Sequence, residues 1–204
     1  MRVFVHGAGK VGTSLSRALR ATGATVALRA ARKGLPRVID ADIVLLAVRD
    51  RDLSALAEKM VGVVSRRAVV VHVAGALDAE VLAPLRGACA GVAQMHPMIS
   101  FASTRRAPTL ARGNVHIQGD AAAVRRARRL ALLLGMTPRT VPGLDEVAYH
   151  AAAGLVANGA AALAAVAAEL LVKAGVSREV APKMLGPLLP AWQTTSRRWA
   201  FPKL

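Results

Sequence analysis

Three glycines, Gly7, Gly9 and Gly12, stand at the spacing G-x-G-x-x-G in the stretch HGAGKVGTSL. The apolar run Val3-Phe4-Val5 precedes them, and Val11, Leu15, Ala18 and Leu19 follow at helical intervals, closed by Gly23 where a left-handed cap is expected. In the order strand, glycine turn, helix, the glycines have separate roles, namely a tight turn, close approach of backbone to a pyrophosphate, and close helix–strand packing. Free N–H groups of the first helical turn then face the phosphates. Lys10 and Val11 belong to this phosphate-binding loop, and Ala47 and Val48, at the end of the third strand, are further cofactor-contacting positions. The stretch reads as a dinucleotide site.

The end of the second strand, about 20 residues beyond the glycines, selects between cofactors: a carboxylate there holds the ribose hydroxyls of NAD, whereas basic residues accept the 2′-phosphate of NADP. The sequence there is LRAARKG, with Arg29, Arg32 and Lys33 and no acid. Guanidinium groups bind phosphate bidentately. NADP is the expected cofactor, with Arg29 the best placed of the three.

Hydride transfer to a C=O or C=N bond also needs a proton donor, and histidine suits neutral pH. Five histidines are present. His6 opens the glycine turn, His72 ends the fourth strand, and His116 sits mid-strand as a structural residue. His96 follows a strand end and is held by Pro97, which restricts its backbone. His150, Gly154 and Asn158 lie four apart on one helix face, and Gly154 leaves room for a ligand between the two polar groups. His96, His150 and Asn158 are the catalytic candidates.

The elements that must position these residues alternate between strands and helices. Further strands are expected at Thr25 to Leu28, Ile43 to Val48, Ala68 to Val73, Val92 to Met95, Val115 to Gln118 and Arg139 to Val141. Asp50 is placed to cap a helix ending near Met60, Asp78 a short helix through Leu85, and Asp120 a helix ending at Gly135. Such alternation implies right-handed crossovers and an α/β fold: a Rossmann-type, doubly wound, mostly parallel sheet with helices on both faces. From Asp145 to Ala174 the pattern becomes one alanine-rich helix, stopped by Gly175, with Pro-interrupted helix after Ser177. A boundary near Pro142-Gly143 therefore separates a nucleotide-binding domain, residues 1–142, from a small all-helical domain, residues 143–204, built on that long helix. A helix apolar nearly all round must be buried, and so short a tail struggles to build its own core. A homodimer with the long helices packed together is expected.

Composition bounds the alternatives. The chain of 204 residues is 54% hydrophobic and 20% charged, which is globular. The single cysteine, Cys89, excludes an internal disulfide, and no pattern suggests a metal site. A net charge of +16 raises the question of nucleic acid. The arginine clusters, Arg66-Arg67, Arg105-Arg106, Arg125-Arg126, Arg128-Arg129 and Arg197-Arg198, are scattered along the chain, and aromatics make up only 3%. Without a stacking platform, a nucleic-acid partner is not favoured. Ala151 to Val172 is long enough to span a bilayer, but it holds Asn158 and Glu169 and is mostly alanine, so it reads as a buried helix rather than a membrane one. The few apolar residues before Gly7 are too short for a signal peptide, and a cytoplasmic location is expected.

Five phrases taken in order, GAGKVGTSL, VLLAVRD, VVVHVAGAL, QMHPMISF and YHAAAGLVANGAAAL, resemble bacterial Rossmann-like oxidoreductases whose second half is a helical domain of unknown function. These are relatives of pyrroline-carboxylate reductase, ketopantoate reductase, prephenate dehydrogenase and the 3-hydroxyacid dehydrogenases. The resemblance implies NADP-type binding and dimerisation through the helical domain. MHPM is similar to the His-Pro-Met motif of prephenate dehydrogenases, in which the histidine meets substrate. Related dehydrogenases carry a lysine and an asparagine four apart on the long helix; Asn158 matches the asparagine, while Gly154 replaces the lysine, leaving His150 as its substitute. Arg49 stands where proline is usual, and Ala74 where serine or threonine is common. The chain ends at FPKL about where similar proteins continue, which points to a shortened helical domain. The reading is an NADP(H)-dependent oxidoreductase on a small carbonyl, imine or hydroxyacid-like substrate, with a non-catalytic dinucleotide-binding module as the alternative and a nucleic-acid binder third.

Overall fold

A computed structural model of the chain describes residues 1–105 and 107–188. Arg106, Pro190, the Arg197-Arg198 pair and the C-terminal FPKL lie outside the described residues. Seven strands form one sheet: β1 (Arg2–His6), β2 (Thr25–Arg29), β3 (Ile43–Leu46), β4 (Val69–His72), β5 (Gly91–Pro97), β6 (Asn114–Gly119) and β7 (Thr137–Arg139). Their order is β2-β1-β3-β4-β5-β6-β7. All pairs are parallel except β5 with β6, which run antiparallel. This is the expected doubly wound sheet, with one reversal that sequence patterning did not show.

Strand alternation divides the apolar side chains between two cores. Val3, Val5, Ile43, Leu45, Val69, Val71, Ala93 and Met95 pack with α1 (Lys10–Ala21) and α3 (Ala121–Leu133) on one face. Val44, Leu46, Val70 and Val92 pack with α2 (Leu53–Met60) and a 3₁₀ turn at Ala79–Leu85 on the other. Burial on both faces is why these strands are continuous apolar runs, and each fully buried aliphatic side chain contributes about 1.5–3 kcal/mol.

The last strand forms at Thr137–Arg139 rather than at Arg139 to Val141, and four further local expectations need correction. β3 stops at Leu46, so Ala47 and Val48 leave the sheet; a parallel strand runs on only while its neighbour offers partners, and β1 ends at His6 opposite Leu46. Asp50 does not cap α2: it lies in a 3₁₀ turn, Asp50–Asp52, and α2 begins at Leu53 with no side-chain cap. Asp120 holds the N-cap position of α3, but its carboxylate is drawn off to Arg86 Nε and the Val92 amide, 3.1 and 2.9 Å away. Asp78 does cap, accepting from the Glu80 amide at 3.0 Å, although with Pro84 inside it the segment winds as a 3₁₀ turn. Gly23 takes the left-handed conformation expected of it, with φ +82°.

The chain divides into two compact units, Met1–Ala153 and a second that starts at Gly154. The division falls inside the long helix, C-terminal to the change of sequence pattern at Pro142-Gly143. Helix runs from Glu146 to Lys173: α4 (Glu146–Gly154), a π-helical turn at Leu155–Gly159, and α5 (Ala160–Lys173). By length and composition alone it could cross a membrane. In the second unit, α5 stops just before Gly175, which takes the left-handed conformation as expected, and α6 (Ala181–Leu185) follows. Among the described residues Leu155 and Leu163 are 74% and 73% exposed, and Val166 and Leu170 are exposed as well.

Candidate active site

At the C-terminal end of β1 the three glycines do three different things. A Cβ on Gly7, whose φ is +112°, would lie 2.2 Å from the carbonyl oxygen of Ala47, so backbone crosses backbone there. A Cβ on Gly12 would lie 1.9 Å from the carbonyl oxygen of Gly7, which presses α1 onto the turn. A Cβ on Gly9 would meet nothing within 4 Å. Gly9 is the N-cap of α1, which has neither a capping side chain nor an acidic residue in its first turn. The first-turn amides of Lys10, Val11 and Gly12 therefore have no intrahelical acceptor and carry the partial positive charge of the helix N-terminus, beside the open face at Gly9. Where a group must approach the backbone there is room, and where the fold must close there is none. The loop fits a pyrophosphate. Ala47 acts here as the backbone neighbour of Gly7, with Val48 next to it.

Beside the loop lies an open cleft of about 410 Å³ lined by Ala8, Leu28, Arg29, Arg32, Lys33 and Pro36, among others. The three basic residues expected to meet the 2′-phosphate thus share one cleft with the glycine loop. Their roles differ from the sequence-based ranking. Arg29 is engaged by the protein itself, donating from Nε to the Gly34 carbonyl and from an Nη to the Lys33 carbonyl, each at 2.7 Å. It shapes the basic turn. Arg32 and Lys33 make no side-chain hydrogen bond or ion pair among the described residues, and they are the cations free to meet an anion.

A second cluster occupies the same edge of the sheet. Gln94 and His96 on β5 stand directly opposite Gln118 and His116 on β6. Glu146, on the first turn of α4, covers them: its Oε2 accepts from Gln94 Nε2 at 2.9 Å and its Oε1 from Gln118 Nε2 at 2.6 Å. His116 Nε2 lies 3.3 Å from the same Oε1 without hydrogen-bond alignment. The His96 ring meets Tyr149 and His150 edge-on at 5.6 and 5.3 Å between centroids. His96 Nδ1 lies 3.5 Å from the Val73 carbonyl, which can only accept, so the ring proton belongs on Nδ1. Its Nε2 is buried and has no partner among the described residues. Burial is the main force lowering the His96 pKa, with His150 and His116 adding to it and the Val73 carbonyl and Asp50 opposing. Burial, then the Glu146 charge, raises that of Tyr149. His96 is accordingly a neutral imidazole with a bare Nε2, able to take a proton or, once protonated, to return one.

His150 is exposed and forms the outer wall of this cluster. Its ring lies over Gly75, where a Cβ would fall 2.0 Å from His150 Nδ1. His96 and His150, two separate candidates in the sequence, are thus neighbours within one chain. Asn158 belongs to the second unit, in the π turn, with its amide nitrogen 4.0 Å from the position of a Cβ on Gly154. His72 is structural: Nε2 donates to the Asp78 carbonyl at 2.8 Å and Nδ1 accepts from the Ala74 amide at 3.2 Å, while burial lowers its pKa. Sequence reasoning missed Gln94, Gln118, Glu146 and Tyr149. The available signal was polar residues two apart in otherwise buried strands, Gln94-Met95-His96 and His116-Ile117-Gln118. Among the described residues no group of acidic, histidine and cysteine side chains could hold a metal ion.

Known proteins share parts of this architecture. The model of a family described as a domain of unknown function, DUF2520, matches residues 114–197. Comparison with curated proteins gives no match. Among solved structures, a proposed NADP oxidoreductase from Bacteroides fragilis is similar with a TM-score of 0.78 at 18% identity, over 98% of this chain and 81% of that one. Pyrroline carboxylate reductase from Plasmodium falciparum, solved with NADP bound, is similar at 0.72 and 12% identity over 99% and 80%. Prephenate dehydrogenase from A. aeolicus, solved with NAD⁺ and hydroxyphenyl propionate, is similar at 0.59 and 16% over 85% and 68%. These likenesses show the fold. The neighbours are dinucleotide oxidoreductases, and they include users of both cofactors.

Proposed function

We propose that the protein is an NADP(H)-dependent oxidoreductase acting on a small carbonyl, imine or hydroxyacid-like substrate. The observation that carries this reading is the coincidence, on one edge of the sheet, of a glycine loop open only at Gly9, a cleft with Arg32 and Lys33 unpaired, and His96 with a bare, buried Nε2. The loop amides and the α1 N-terminus hold the pyrophosphate, and Arg32 and Lys33 hold the 2′-phosphate. The cofactor, when bound, supplies or accepts the hydride. His96 Nε2 moves the proton at the substrate oxygen or nitrogen, with His150 beside it.

Fluorescence titration tests the cofactor assignment. NADPH is expected to bind more tightly than NADH, and Arg32→Glu or Lys33→Glu to weaken NADPH roughly 10- to 100-fold, since a hydrogen bond to a charged group contributes about 1.5–3 kcal/mol. NADH binding should hold nearly constant in both variants. Equal affinity for the two cofactors, or equal losses, would remove the 2′-phosphate assignment. A screen of keto acids, cyclic imines and hydroxyacids tests turnover, and a folded, cofactor-bound protein that converts none of them is a binding module instead.

Assembly is part of the same reading. Leu155, Leu163, Val166 and Leu170, all at least 60% exposed, leave an apolar strip along the long helix. A second copy of this chain, packed helix to helix about a two-fold axis, buries it. Asn158 stands on that helix, and in such a dimer it serves as the asparagine of the site.

A further inference from the structure

Glu146 is the only buried carboxylate among the described residues, and the proton transfer assigned to His96 does not use it. Both of its oxygens are occupied, by Gln94 Nε2 and Gln118 Nε2. The two glutamines are themselves joined, Gln118 Nε2 donating to Gln94 Oε1 at 3.2 Å, and Gln94 Nε2 also reaches the Ala74 carbonyl at 3.2 Å. One carboxylate thus ties the first turn of α4 to β5, to β6 and to the loop after β4. Residues three and four further along a helix share its face. Here they are Tyr149 and His150, the two whose rings meet His96. The next residue of the tied loop, Gly75, is the notch that admits the His150 ring.

We propose that Glu146 is a positioning residue: its clamp on Gln94 and Gln118 sets the register of α4 on the sheet, and so holds Tyr149 and His150 against His96. This rests on the reading of His96 as the proton-transfer group. The clamp requires two acceptors. In Glu146→Gln the new NH₂ must face the NH₂ of one glutamine. Turning Gln94 over loses its bonds to Ala74 and Gln118, and turning Gln118 over sets its oxygen against Gln94 Oε1. Every arrangement leaves a buried mismatch, which displaces the helix turn or breaks the clamp.

The test needs no substrate and no cofactor. Side-chain ¹H–¹⁵N spectra of the full chain labelled at histidine follow all five rings as pH is varied. The groups facing His96 are Tyr149 and His150 from α4, His116 from β6, Asp50 from the turn after β3 and the Val73 carbonyl. In Glu146→Gln, the His96 and His150 signals are expected to shift and the His96 midpoint to move by about half a pH unit or more. His6, at the far end of the sheet against Phe4, stays put as the control. Gln118→Ala removes one arm of the clamp at a half-buried site and is expected to give a smaller displacement in the same rings, so it decides the matter if Glu146→Gln fails to fold. His96 and His150 signals that coincide with those of the wild type, with the His96 midpoint unmoved, in either folded variant would overturn the proposal. Failure of the unaltered protein to bind NADPH would remove the oxidoreductase reading and leave the clamp standing.

Discussion

Alanine at Gly9 and alanine at Gly12 are the same chemical change, three residues apart, and the structure assigns them opposite consequences. At Gly9, φ is −77° and ψ −168°, an extended conformation open to any residue, and a Cβ meets nothing within 4 Å. Gly9→Ala therefore introduces no strain, and the gain of about 0.4–1 kcal/mol from a less flexible unfolded chain is offset by alanine's poorer fit at an N-cap, leaving stability near that of the wild type. The added methyl group sits where phosphate must approach the loop. Losing one amide–phosphate hydrogen bond costs about 1.5–3 kcal/mol, which raises the NADPH dissociation constant roughly 10- to 100-fold. At Gly12 the Cβ would lie 1.9 Å from the Gly7 carbonyl oxygen and 3.1 Å from Ala47 Cβ, so α1 must move away from the turn. Overpacking of that kind costs about 1–3 kcal/mol, and at about 2–4 °C of Tm per kcal/mol the loss is plain by calorimetry. The assay is scanning calorimetry paired with NADPH fluorescence titration on both variants. A Gly9→Ala protein that binds NADPH like the wild type, or a Gly12→Ala protein equally stable, would refute the division of labour among the three glycines.

Stability should also fall in mild acid. His6, His72, His96 and His116 are buried, and burial lowers the pKa of each in the folded state. Below about pH 6.5 the unfolded chain binds protons that the folded one refuses, so each contributes a loss of up to about 1.4 kcal/mol per pH unit until its own folded pKa is passed; a Tm unchanged between pH 7 and 5.5 would contradict this. Light scattering at micromolar concentration should give the mass of a dimer, and Ala160→Glu, which places a charge on the long helix, should shift it to monomer. A monomeric wild type would sink the proposed assembly.

The glycine loop and the basic turn beside it differ in how far sequence reasoning reaches. Gly7, Gly9 and Gly12 could be assigned separate roles because strand, turn and helix periods surround them, and the structure gives the three different surroundings, closed at Gly7 and Gly12 and open at Gly9. Arg29, Arg32 and Lys33 could be assigned jointly, since all lie within a few residues of one strand end. Their ranking could not be, because whether Arg29 directs its donors to a ligand or to the carbonyls of Lys33 and Gly34 depends on how the chain turns after β2. Caps show the same limit: Asp120 has the right residue type and position, yet Arg86 and the Val92 amide, distant in sequence, compete successfully for its carboxylate.

The features legible from the amino-acid order are periodic and local: apolar runs buried on both faces, helices between them, the glycine turn and the basic strand end. They follow from neighbours along the chain, whose side-chain directions are set by backbone geometry alone. The antiparallel pairing of β6 with β5, which puts Gln118 opposite Gln94 and His116 opposite His96, emerges only once the sheet is assembled. So do the placement of Glu146 over the glutamine pair and of His150 in the space above Gly75. A buried polar group must find its partners wherever the fold carries them, and in this protein those partners are up to 52 residues away.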